Sequence, residues 1–193
     1  SERGLRIASE ACATKPNVML WASMPCTGGS PWQRLNALKP GTAAKIEKHI
    51  ALAKKIWRAF EVCATIVLAR GGTVCIEWPR GCTYWQWACV KLFLARNGFT
   101  EANVDGCFMG LCSRVSGLLI RKPWRIACSS SRIAVTLNAA RCPGKEDHPV
   151  HAPCAGSDTK VTEHYTPYMA TLMHELFWQE VKPKRLSWES TDA

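Results

Sequence analysis

Two apolar runs of strand length, "VMLWA" at 18–22 and "TVCIEW" at 73–78, each meet a proline within three residues, Pro25 and Pro79. A continuous run of five or six apolar residues bounded by turn residues suits a strand buried on both faces, which a sheet covered by helices provides. Between the runs, Ile46, Ile50, Ala53, Trp57, Phe60, Ala64 and Val67 recur three or four apart, with Lys45, Lys48, Lys54, Lys55 and Arg58 on the other faces. That period predicts one long amphipathic helix from about Thr42 to Arg70, with a solvated basic face and a stop at Gly71 and Gly72.

Further along, a second helix is expected over 83–97, ended by Gly98, then a short strand at 99–104 and one or two more within "GLLIRKPWRIACSS", 117–130. After a polar stretch carrying cysteine and histidine, Thr166 as cap and Pro167 in the first turn open a last helix with an apolar face from Tyr168 to Val181. The alternation of strand and helix predicts an α/β fold: a Rossmann-like, mostly parallel sheet with flanking helices, plus a Cys/His loop and a C-terminal helix. The expected organisation is a single domain over 1–182, with a zinc-binding loop at 141–156 and a tail at 183–193.

Composition narrows the classes. With 193 residues and 47% hydrophobic content, one domain can bury about 70% of the surface its unfolded chain exposes. There is no apolar run of about 18 residues, so no membrane span is expected, and the start "SERGLRIASE" does not read as a secretory leader. Eleven cysteines, many inside apolar segments (Cys63, Cys75, Cys89, Cys128), fit buried free thiols in an intracellular, reducing compartment, with a subset left for a metal. The net charge of +10 favours a polyanionic partner, with nucleic acid the expected class.

Ligands of open α/β sheets bind beyond the carboxyl ends of the strands. Cys26 follows the first apolar run in the loop "PCTGGSPW", and Glu77 closes the second. Adjacent strands would bring a thiol and a carboxylate to one sheet edge. A cysteine in a glycine-rich turn also meets backbone N–H groups that favour its thiolate.

Taken together, "VMLWASMPCTGGS", a long helix, "GGTVCIEWP" and a helix ending "RNGF" resemble the catalytic half of the cytosine-C5 DNA methyltransferase family over about residues 17–128. The pointed matches are Pro25-Cys26 and Glu77. The resemblance implies that Cys26 is the nucleophile that adds to C6 of the pyrimidine and that Glu77 holds the base, which must be flipped out of its stack. It further implies phosphate or base contacts from Arg121 and Arg125 in "IRKPWRIA", with Trp32 and Trp78 as stacking platforms. S-adenosylmethionine would be the methyl donor. The family's glycine-rich cofactor loop has no counterpart in these residues, so an upstream segment or a partner would have to supply the cofactor half.

The segment "RCPGKEDHPVHAPCAG" carries Cys142, His148, His151 and Cys154 within thirteen residues, broken by turn-forming Pro and Gly. This donor set suits tetrahedral Zn(II) in a structural role, and Cys82, Cys107, Cys112 or Cys128 is available to replace one member. Three functions follow from these residues: a partial or degenerate methyltransferase-like domain acting on or reading nucleic acid, a non-catalytic zinc-stabilised nucleic-acid-binding or interaction domain, and a cysteine hydrolase. The last needs a histidine to reach Cys26, whereas four of the five histidines lie beyond Asp147.

Overall fold

The computed structural model describes residues 1–144 and 150–189. In chain order it contains α1 (Glu2–Thr14), β1 (Met19–Ser23), α2 (Gln33–Asn36), α3 (Ala43–Ala69), β2 (Thr73–Pro79), α4 (Ala88–Arg96), β3 (Thr100–Asp105), β4 (Pro123–Cys128), α5 (Ser131–Asn138), α6 (Ser157–Val161) and α7 (Pro167–Glu189). Two compact units divide the chain: Ser1–Ala102 with Arg125–Ala134, and Asn103–Trp124 with Val135–Ala193.

The long apolar period folds as expected. Along α3 the buried residues Ala53, Trp57, Phe60, Cys63, Ala64 and Val67 keep the three-and-four spacing, while the five basic residues stay exposed. This face packs on β1 and β2. Trp57 is the hub: its ring lies 5.2 Å from Phe60, 5.9 Å from Trp78 and 5.7 Å from Phe93. β2 is buried over its first six residues, the polar Thr73 and Glu77 among them. The apparent polarity of the first residues conceals α1, whose Ser1 hydroxyl accepts from the Gly4 N–H at 3.2 Å and which packs on α3.

The four strands form one sheet in the order β1-β2-β4-β3. Its topology corrects the expected Rossmann-like, mostly parallel arrangement. Only the β1–β2 pair is parallel, from Met19 opposite Thr73 to Ser23 opposite Glu77, and the pairing of the sheet is mostly antiparallel. On the β2–β4 side, Ser129 N–H donates to Val74 O at 2.9 Å and the Cys75 and Cys128 sulfurs meet at 3.0 Å, so the partners step in opposite directions. The physical reason lies in the connection from β3 to β4. Parallel neighbours need a crossover, usually a helix, whereas residues 106–122 form turns and a single antiparallel bridge between Cys112 and Leu119. The chain thus returns reversed and inserts between β2 and β3.

Other boundaries also move. The expected helix over 83–97 is a 3-10 turn at Thr83–Gln86 followed by α4. The polar stretch contains α5 and α6, and α7 continues through the expected tail to Glu189. Thr166 does cap α7, its hydroxyl accepting from Met169 N–H at 3.2 Å.

The second unit is built around Met109, Leu111, Ile120, Trp124, Leu137, Met169, Met173 and Leu176, all buried. Polar ties supplement this core: buried Asp158 accepts from Ser113 Oγ at 2.6 Å and from Arg114 N–H at 3.1 Å, and Lys122 Nζ donates to the Thr162 carbonyl.

The aromatic hub makes a quantitative expectation. Trp57→Ala should lower the stability of the fold by about 3–5 kcal/mol, because the cavity has tightly packed rings on several sides. Urea unfolding followed by circular dichroism checks it, and a loss below about 1 kcal/mol would show that the hub collapses without cost.

Candidate functional site

The pairing of β1 with β2 sets Ser23 opposite Glu77. Glu77 is buried, and its Oε2 accepts from the Ser23 hydroxyl at 2.7 Å. Three residues beyond Ser23, Cys26 opens a tight turn in which Gly29 N–H donates to Cys26 O at 2.9 Å. The two glycines after Cys26 are required by close approach. A Cβ on Gly28 would stand 2.6 Å from the Tyr84 hydroxyl, and one on Gly29 would stand 2.7 Å from both Cys82 Sγ and the Tyr84 ring. The loop is thereby pressed onto the turn that follows β2.

The thiols and the carboxylate in this region interact electrostatically. Burial pushes the Cys82 thiol up to about 12, with Cys26 and Glu77 adding to the rise. Burial likewise pushes the Tyr84 hydroxyl up to about 12, with Cys82 and Cys26 contributing. Both groups are therefore neutral donors at neutral pH. Cys26 is half-buried.

The residues expected to hold a base occupy different surroundings. Trp32 is 70% exposed. Trp78 is core rather than a platform: it is 2% exposed, its rings lie against Trp57, Tyr84 and Trp85, and its indole N–H donates to Met24 O at 2.9 Å. Arg125 pairs with Glu101 at 3.5 Å and sits 5.4 Å above the Trp85 ring. Arg121 lies 3.8 Å from Asp105.

A second cluster forms at the end of β3. Gly106 turns the chain where a Cβ would stand 2.9 Å from Leu111 and 3.2 Å from the Lys122 carbonyl, and Cys107 follows it into the interior of the second unit. The metal-binding atoms of Cys107, Cys142 and His151 all lie within 4.8 Å of one another, with Cys142 Sγ 3.6 Å from His151 Nε2. In a tetrahedral zinc site with Zn–S near 2.3 Å and Zn–N near 2.0–2.1 Å, a sulfur and a nitrogen stand about 3.6 Å apart. The donor spacing and softness fit that ion. Burial pushes the Cys107 thiol up to about 11, and the neighbouring Cys142 thiol adds to the rise.

Asp105 holds the cluster's backbone. Its carboxylate is 1% exposed and accepts from the Cys142 N–H at 3.1 Å and from Arg141 Nε at 3.3 Å, with Arg121 nearby. Its own N–H donates to Ala140 O at 2.9 Å. The chain entering Cys142 is thus fixed to the strand end that leads into Cys107.

This cluster differs from the contiguous one expected. Cys142 and His151 belong to it, but Cys154 is exposed with its Sγ 3.3 Å from Thr162 Oγ1, outside the group, and Cys107 supplies the second sulfur. His148 lies outside the described residues. The sequence contained Cys107 as one of several replacements; the antiparallel return that brings it to Cys142 was not readable from spacing.

Comparison with known proteins found no matching family model, curated protein or solved structure. With a sheet that is not Rossmann-like, the fold lends no support to the expected methyltransferase-like and DNA-binding character. No helix among the described residues is long and apolar enough to cross a membrane.

Two outcomes follow from the site's geometry. Asp105→Ala should weaken metal binding by about 10–100-fold, as loss of groups that orient ligands does, measured by competition with a chromogenic chelator. Separately, the raised Cys82 and Tyr84 values mean that the folded chain holds these protons more tightly than the unfolded chain does. Their contribution to stability is full below about pH 9 and is lost as pH rises towards about 12. The urea midpoint should therefore fall between about pH 8.5 and about pH 11, and Cys82→Ala should flatten the decline.

Proposed function

We propose that the chain is a zinc-stabilised binding domain, in which Cys107, Cys142 and His151 supply three of the ligands of one Zn(II) in a structural role and nucleic acid is the partner. The observation that carries this reading is the convergence of two sulfurs and an imidazole nitrogen within 4.8 Å. Zinc supplies the divalent charge that lets two neighbouring thiols ionise together, and it ties the end of β3 to the segment around Cys142 and His151. The partner class is argued from charge. An excess of ten positive charges attracts a phosphate backbone and yields binding that weakens as salt rises.

A second reading concerns the other end of the chemistry: Cys26 as a nucleophile towards a base whose polar edge Glu77 holds. It draws on the Ser23–Glu77 hydrogen bond at 2.7 Å and on the register that ends β1, three residues before Cys26, opposite Glu77. Addition of a thiolate to a pyrimidine needs an acid at the opposite side of the ring, which a buried carboxyl provides.

Both readings are open to direct test. Metal analysis should return one zinc per chain, and Co(II) substitution should give a thiolate-to-cobalt charge-transfer band that Cys107→Ser and Cys142→Ser each diminish. A protein that folds fully and binds no zinc at micromolar concentration would refute the structural-metal reading. Retarded migration of a cytosine-containing strand, weakening with salt and with chelation, would support the partner class. A denaturation-resistant adduct with that strand, absent in Cys26→Ser, would establish the second reading.

A further inference from the structure

Cys75 lies at the middle of β2 and Cys128 at the end of β4, and both are completely buried. Their sulfurs are 3.0 Å apart. One step along, Val74 and Ser129 face each other: Ser129 N–H donates to Val74 O at 2.9 Å, and Val74 N–H donates to Ser129 Oγ at 3.0 Å. Cys75 and Cys128 are thus directly opposed residues of two antiparallel strands. Such residues have Cα atoms about 4.5–5.5 Å apart, inside the range of about 4.4–6.8 Å that a disulfide spans. The sulfurs need to approach by only about 1 Å to reach the bond length.

We infer that Cys75 and Cys128 form a site of oxidative modification, a cross-strand disulfide that joins β2 to β4 when the chain folds in the presence of a low-molecular-weight disulfide such as oxidised glutathione. The first thiol loses its proton and attacks a glutathione sulfur, releasing one glutathione thiolate. The second thiol, deprotonated in turn, attacks the protein sulfur of the mixed disulfide and expels the other glutathione. Two protein thiols are oxidised to one disulfide, and one oxidised glutathione is reduced to two molecules of glutathione.

Timing follows from burial. In the folded dithiol both residues are completely buried, out of reach of a dissolved disulfide, and the hydrogen bond to Cys128 and burial hold the Cys75 thiol well above its usual range. Exchange therefore occurs before β4 closes on β2. A chain that folds reduced keeps both thiols, and a chain that folds oxidised seals the bond away from soluble reductants.

The test refolds the full chain from denaturant in oxidised or in reduced glutathione, alkylates all accessible thiols after denaturation, and maps the peptides by mass spectrometry. The expected result in oxidised glutathione is that Cys75 and Cys128 escape alkylation among the eleven cysteines and appear in one linked peptide. The linked protein should keep its circular dichroism spectrum, lose the link to added thiol only under denaturing conditions, and melt higher than the reduced form. The Cys89→Ser variant, which removes an exposed thiol outside both cysteine clusters, should still form the link. Recovery of folded protein with Cys75 and Cys128 fully alkylated would overturn the inference, as would their linkage chiefly to other cysteines or a linked product without the folded spectrum.

Discussion

The packing of Trp57 against Phe60, Trp78 and Phe93 is the interaction on which the first unit depends. It joins the middle of α3 to the end of β2 and to α4 through large apolar surfaces, the strongest kind of contact available to a chain of this size. Trp78 is also the residue after Glu77. Because successive side chains of a strand alternate between its faces, anchoring Trp78 in this cluster commits Glu77 to the other side of β2. There the parallel neighbour presents Ser23, whose hydroxyl satisfies a carboxylate oxygen that would otherwise be costly to bury. The candidate site is therefore a consequence of core packing rather than of a local loop motif.

The second unit places a different demand on its polar groups. Asp105 is almost wholly buried, so its charge must be matched by donors close at hand. Arg121, Arg141 and the Cys142 N–H meet that need, and they draw the chain on either side of β4's entry towards the same carboxylate. Cys107, two residues on, then faces Cys142 because both strand end and loop are tied to Asp105. The convergence of Cys107 and Cys142 grows out of the way a single acid is neutralised.

What the sequence disclosed follows the physics of periodicity. β1, β2 and α3 were legible because continuous apolar runs and a sustained three-and-four spacing each have few structural solutions. α1 was not, since Cys12 is its one buried residue and most of its surface faces solvent. Strand direction was misread at β4: an apolar segment with Pro123 at its start carries no information about whether the chain enters the sheet from one end or the other. Only the connection decides that. The same reversal brings Cys107 near Cys142 across 35 residues of sequence, a relation that no local spacing rule contains, whereas the proximity of Cys26 to the Glu77 end of β2 follows from ordinary βαβ geometry.

Two cysteine pairs, one with its sulfurs 3.0 Å apart and the other with its sulfurs within 4.8 Å, also differ in what surrounds them. Cys75 and Cys128 lie between apolar strands, beside Val74, Ile76 and Ala127, where nothing compensates negative charge. Two thiolates there would repel in a medium of low polarity, so the stable forms are those without charge, two thiols or one disulfide. Cys107 and Cys142 instead adjoin an imidazole and a backbone amide ordered by Asp105, with arginine at its carboxylate. An imidazole can share a cation with thiolates, and the half-buried Cys142 and His151 leave the ion a route of entry. The third donor, and the polarity of the walls around the sulfurs, distinguish the two pairs.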